Sequence, residues 1–185
     1  MDELHQRERL PDALRVLLEQ YPRALWQSHQ NFDGLTRFWL ERHLMFRRAL
    51  GDWQRDTQAF IDKDRATRAH GKMTAQIGGF LINELHGHHQ IEDAHYFPVL
   101  AQAEARLSHG FDLLDADHHA LDAELAALTD AANMHLRVLS EDGDTRKSAG
   151  GMLRRLEQFE RFLDRHLVDE EELVVPVILH HALRF

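Results

Sequence analysis

Hydrophobic residues recur along most of this chain at spacings of three and four, the mark of helices that each bury one stripe. The most regular run is Phe32, Trp39, Phe46, Trp53 and Phe60, one aromatic residue every seven positions. Thr36, His43, Leu50 and Thr57 fill the complementary heptad position, so the spacing predicts a helix over 33–63 with His43 on its buried seam. A second stripe, Ile77, Leu81, Leu85, His88, Glu92, His95 and Val99, predicts a helix over 72–105; Pro98 falls inside it and marks a kink or distorted turn. A third, running Phe111, Leu114, His118, Leu121, Leu125, Leu128 and Ala132, predicts a helix over 108–139. The polar stretch 141–145 reads as a turn, with Asp144 as the N-cap of a fourth helix. That helix carries Leu156, Phe159, Leu163, His166, Glu170, Leu173 and Val177 on one face. Ahead of all four, Leu14, Leu17, Leu18 and Tyr21 predict a short amphipathic helix over 12–21 that stops before Pro22.

Four helices of about 30 residues, each roughly 45 Å long and joined by short links, make an all-α, antiparallel up-down-up-down four-helix bundle. We expect it over residues 32–185, with residues 1–31 as an N-terminal extension carrying the extra short helix. Nothing reads as a strand, a glycine-rich phosphate loop or a low-complexity segment.

The polar residues on the buried stripes carry the chemistry. His88 is followed four positions later by Glu92 and ten later by Pro98; His166 is followed at the same offsets by Glu170 and Pro176. On a helix, residues four apart lie on one face, so each pair presents an imidazole and a carboxylate in one direction. A lone histidine precedes each pair, His43 by 45 positions and His118 by 48. Such an internal repeat implies two similar halves packed on one another. Six polar groups facing an apolar interior would cost several kcal/mol each if left unpaired. No lysine or arginine lies on these stripes to pair both glutamates. A cationic centre resolves all six. Two first-row ions sharing bridging glutamates and an oxygen suit four imidazoles and two carboxylates better than one ion; a mononuclear four-ligand site with spare groups is the alternative.

Composition sharpens this picture. The 185-residue chain has fifteen histidines and no cysteine, which points to nitrogen and oxygen ligands and to iron, zinc, copper or manganese. It also removes disulfides and thiolate chemistry. A net charge of −9 disfavours nucleic acid or an anionic membrane as partner. With neither a membrane-length apolar run nor a signal-peptide pattern at the N-terminus, the cytoplasm is the expected compartment. The remaining histidines, at positions 5, 29, 70, 86, 109, 135, 180 and 181, read as surface or end-of-bundle residues. The run 169–172 reads as solvated helix face apart from Glu170.

At these residues the chain resembles the hemerythrin-like (HHE cation-binding) family, over about residues 33–180. The resemblance implies a non-haem di-iron centre, two iron ions with a bridging oxo or hydroxo group. It places His43, His88 with Glu92, His118, and His166 with Glu170 as the metal ligands, the two glutamates bridging. The oxygen-carrying members place a further histidine four residues after the third-helix ligand; here that position is Asp122. The set looks more like bacterial domains of iron-centre repair and redox response, although their usual cysteine-bearing N-terminal segment is absent. His89 could donate from the flank of the second-helix pair, and His95 and Asp122 are weaker candidates for a seventh ligand. The implied function is binding or sensing of O2, NO or peroxide, or a part in iron and redox stress. A peroxidase-like or NO-reducing enzyme, with Tyr96 and His95 nearest the centre, is one alternative. A bundle stapled by a metal such as zinc is another, and a protein partner or homodimer is left open.

Overall fold

The first long helix starts where the Asp33 carboxylate accepts the backbone N–H of Thr36 at 2.8 Å, an N-cap that satisfies one of the orphan donors of the first turn. The last starts in the same way, with Asp144 accepting the Lys147 N–H at 3.0 Å. The computed structural model describes residues 3–141 and 143–185. Asp142, in the turn expected at 141–145, lies outside the described residues, as do the first two residues of the expected N-terminal extension. The protein is an all-α helical bundle, with no strand among the described residues. Its helices are α1 (Val16–Gln20), α2 (Gly34–Ile61), α3 (Thr67–Ile91), α4 (Phe97–Ala103), α5 (Ser108–Ser140) and α6 (Thr145–His181). The short helix expected over 12–21 is a 3-10 turn, Asp12–Leu14, followed by α1.

Between α3 and α4 the chain makes a π-turn over Glu92–Tyr96, closed by the Phe97 N–H donating to the Glu92 carbonyl. Pro98 explains its place: proline has no N–H to give to the preceding turn, and a wider turn takes up the misfit. The π-turn holds one residue more than an α-turn, so every later side chain is rotated by about 100°. The stripe expected to continue through His95 and Val99 is therefore wrong beyond Glu92. His95 and Val99 are exposed, and Phe97 and Leu100 point inward in their place.

The chain forms two compact units. One comprises the chain up to Leu44, His88–Ala120 and Leu163–Phe185. Its core joins Leu10, Leu14, Leu17 and Trp26 of the N-terminal segment to Phe97, Leu100, Phe111, Leu114, Leu173 and Val177. Each fully buried leucine contributes about 1.5–3 kcal/mol relative to leaving it in water, which fixes the N-terminal segment in this core. Gly110 permits the close approach of α5 to α6: a Cβ there would lie 2.7 Å from Leu173 Cδ2.

The second unit comprises Met45–Gly87 and Leu121–Phe162. Phe46, Leu50, Trp53 and Phe60 of α2 are buried in it, with Leu81 and Leu85 of α3. Two histidines expected at the surface, His70 and His135, are fully buried here. The Nδ1 of His70 donates to Asp56 at 2.6 Å, and its Nε2 meets His135 Nε2 at 2.8 Å. His135 Nδ1 lies 2.8 Å from the Ser148 hydroxyl, and Phe60 stacks on the His70 ring at 4.4 Å. The ring nitrogens thus have partners, which is how a core accepts them. Burial first, and then His70, hold His135 down at about 4, so it is neutral at ordinary pH.

Candidate metal centre

All six candidate ligands fall in the first unit, and all six are buried. His43 comes from α2, His88 from the end of α3, Glu92 from the start of the π-turn, His118 from α5, and His166 with Glu170 from α6. His43, His88, Glu92 and Glu170 form one group whose ligating atoms all lie within 4.8 Å of one another. His118 and His166 form a second group of the same tightness, and its third member is His89. The residue considered only for its flanking position is thus brought inward with the ligand set. The other two are not: His95 is exposed, and Asp122 is exposed and approaches His86 at 3.7 Å.

The two carboxylates lie between the groups. Glu92 Oε1 is 3.0 Å from His88 Nε2, while its Oε2 is 3.8 Å from His118 Nε2. Glu170 Oε2 is 3.4 Å from His43 Nε2 and 3.5 Å from His166 Nε2. Each glutamate therefore touches one imidazole from each group. The Nε2 atoms of His43 and His88 meet at 2.9 Å, and the His89 ring stacks on His118 with centroids 4.0 Å apart.

Around this set, buried polar atoms lack partners. His89 Nδ1 and Nε2, Glu92 Oε2, His118 Nε2, His166 Nε2 and both Glu170 oxygens are buried without a hydrogen bond. Such orphans are rare and each costs about 1–3 kcal/mol. Their convergence in one place is what a metal site looks like without its ion, and the donor chemistry fits. Burial first, then the neighbouring His118, push the His89 and His166 imidazoles well below their usual value, so they stay neutral and keep a lone pair. Burial also lowers His43, against the pull of its bond to Glu171. Burial pushes the Glu170 carboxyl well up, and Glu92 beside it pushes further. For Glu92 burial pulls the same way, but His88 and His43 outweigh it and hold that carboxylate below its usual range. Neutral imidazoles and a carboxylate are the forms that bind cations.

The outer nitrogens are held as ligand histidines usually are. His43 Nδ1 donates to Glu171 at 3.0 Å, His118 Nδ1 to Asp93 at 2.8 Å, and His166 Nδ1 approaches Asp117 at 3.4 Å. The Trp39 indole N–H donates to Glu92 Oε1 at 2.6 Å. The reading of 169–172 as solvated face fails for Asp169 and Glu171, which are buried. Arginines from the N-terminal segment explain the difference. Arg23 donates to Glu171 at 2.5 Å; Arg7 grips Asp117 with both terminal nitrogens and Asp169 with Nε at 2.7 Å. Asp117 carried no signal of its own beyond its place one residue before His118.

An apolar pocket enclosing about 350 Å³, mouth included, is lined by Glu92 with Trp39, Tyr96, Phe97 and Phe185 among others. A third histidine group, Glu104 with His180 and His181, lies at the end of α6; there Arg106 binds the Glu104 carboxylate through two nitrogens and holds it down at about 2.

Compared with known protein families, residues 34–178 match the hemerythrin HHE cation binding domain. No curated protein and no solved structure matches the chain. Among the described residues, no helix is long and apolar enough to cross a membrane.

Proposed function

The chain belongs to the hemerythrin HHE cation-binding family, and from that premise we propose that it is a non-haem di-iron protein. It binds or senses a small ligand such as O2, NO or peroxide, in oxygen handling or in the response to iron and redox stress. The observation that carries the reading is the convergence of seven unpartnered buried atoms on two clusters joined by two glutamates. We assign one ion to His43 and His88 and the other to His118 and His166, with Glu92 and Glu170 shared. His89 is a further imidazole on the second ion. A bound iron pair supplies redox chemistry and an open position for the ligand.

The chain's own residues do the rest. Trp39 fixes the Glu92 carboxylate by its indole N–H, so that oxygen cannot swing away from His88. The pocket beside Glu92 offers a small, uncharged ligand an apolar path and keeps bulk water away from the centre. Asp93, Asp117 and Glu171 set the tautomers of the histidines they touch and keep Nε2 directed inward.

The test is metal content with an absorption spectrum, on protein loaded anaerobically with iron(II) and then exposed to air. Two irons per chain and near-ultraviolet bands that respond to O2, NO or peroxide are expected. Iron well below two per chain would sink the di-iron reading. Zinc bound in preference, with no redox-linked spectrum, would leave only a structural staple. Peroxide or NO turnover above that of free iron, lost in Glu170→Ala, would make the protein an enzyme rather than a carrier or sensor.

A further inference from the structure

The N-terminal segment lies ahead of the residues that match the family, yet it ends on the candidate metal centre. We propose that this segment is a working part of that centre. Arg7 and Arg23 hold Asp117 and Glu171, the carboxylates that orient His166 and His43, and so govern how tightly the centre grips its metal. The inference rests on the reading of His43 and His166 as ligands.

Two independent chains of contact carry it. On one side, His43 Nδ1 donates to Glu171 Oε1 at 3.0 Å, and Glu171 Oε2 accepts from Arg23 at 2.5 Å. On the other, His166 Nδ1 faces Asp117 Oδ2 at 3.4 Å, and Asp117 accepts a two-pronged contact from Arg7. Arg7 continues to Asp169 at 2.7 Å, and Asp169 takes a further contact from Arg165 at 2.5 Å. Arg165 in turn donates to the backbone carbonyl of Glu8.

A segment needing only to stay in place has enough in Leu10, Leu14, Leu17 and Trp26, already in the core. Arginine is among the residues least often buried, and burying one is costly unless its charge is met in good geometry. Here Arg7 is 8% exposed, its partners Asp117 and Asp169 are 3% and 0%, and both flank candidate ligands in sequence. A guanidinium fork can fix a carboxylate at two points, and a fixed carboxylate fixes the imidazole it touches. The two arginines thus lead from one N-terminal segment to a histidine in each of the two groups.

The test compares metal binding by the full chain and its variants Arg7→Ala, Arg7→Lys, Arg23→Ala and Leu17→Ala. Cobalt(II) and iron(II) are titrated against a competing chelator, and the visible spectrum of the cobalt form is recorded. Removing such outer partners costs roughly 10–100-fold in metal affinity. Loss of that size is expected in Arg7→Ala and in Arg23→Ala, with shifted cobalt bands, and partial recovery in Arg7→Lys. Leu17→Ala should melt earlier and bind metal as the parent does. If Arg7→Ala does not fold, Arg23→Ala decides, since the Arg23 side chain is 48% exposed and its loss leaves the core untouched. Parent protein holding two metals, with arginine variants of unchanged affinity and spectrum, would overturn this inference alone. Parent protein that takes up no metal would overturn the proposed function and this inference with it.

Discussion

Removing the metal should cost this protein a large part of its stability, and the structure sets the scale. Seven buried atoms around the candidate centre have no hydrogen-bond partner. At about 1–3 kcal/mol each, they would sum to roughly 7–20 kcal/mol in a rigid metal-free protein. Proton uptake by Glu170 and entry of water relieve part of this, so we take ~4–8 kcal/mol as recovered on binding. Mass action gives the same scale independently: a ligand present at about 1,000 times its Kd stabilises by ~4.1 kcal/mol per site, and there are two sites in our assignment. A chain of this size melts roughly 2–4 °C higher per kcal/mol, so saturation should raise Tm by about 10–30 °C. The assay is scanning calorimetry at fixed pH, on protein stripped with chelator and then reloaded anaerobically with iron(II). A rise below about 3 °C at full occupancy would mean that the orphaned atoms are already satisfied in the metal-free protein, and the reasoning from them would fail.

Three further outcomes follow from single positions. Glu170→Gln should stabilise the metal-free protein at neutral pH while weakening metal binding; urea titration and metal titration of one sample read both. The sign comes from the raised Glu170 carboxyl: its contribution is complete below the unfolded value and is lost as pH rises through the higher folded one. His135 runs the other way. Held at about 4 against 6.5 unfolded, it weakens the fold as pH drops through that window, by on the order of 3 kcal/mol. In His135→Gln the acid slope of urea stability should flatten by that amount, and an unchanged slope would refute the assignment. Gly110→Ala should cost about 1–3 kcal/mol by overpacking against Leu173, read as a lower urea midpoint with an unchanged m-value.

The heptad aromatics of α2 and the paired His-x-x-x-Glu spacing made the helical architecture and the six candidate positions legible, because helix periodicity converts directly into a shared face. His89 was only half legible. It sits beside the His88 stripe, and its inward placement depends on packing that spacing does not encode. The limit appears most sharply at Asp169 and Glu171. An acidic run on a helix is normally solvated, and only an arginine more than 140 residues away can reverse that. His135 is a different lesson. It extends the Leu114, Leu121 and Leu128 seam by one more step of seven, so its burial was written in the same pattern and hidden by its polarity.

The π-turn at Glu92–Tyr96 separates two jobs that a continuous helix would lock in phase. Upstream, the four-residue step from His88 to Glu92 must keep both side chains on the face of the centre. Downstream, Phe97 and Leu100 must plug the core at an angle that step would not reach. One surplus residue lets each half be tuned by substitution without disturbing the other. The same arithmetic makes the helix sensitive to length rather than to composition. Excising a single residue such as Ala94 would restore uniform winding, swing Phe97 and Leu100 outward and turn His95 and Val99 in, placing an imidazole where an aromatic plug belongs. At this joint a one-residue deletion is a change of wiring, whereas most substitutions are only a change of fit.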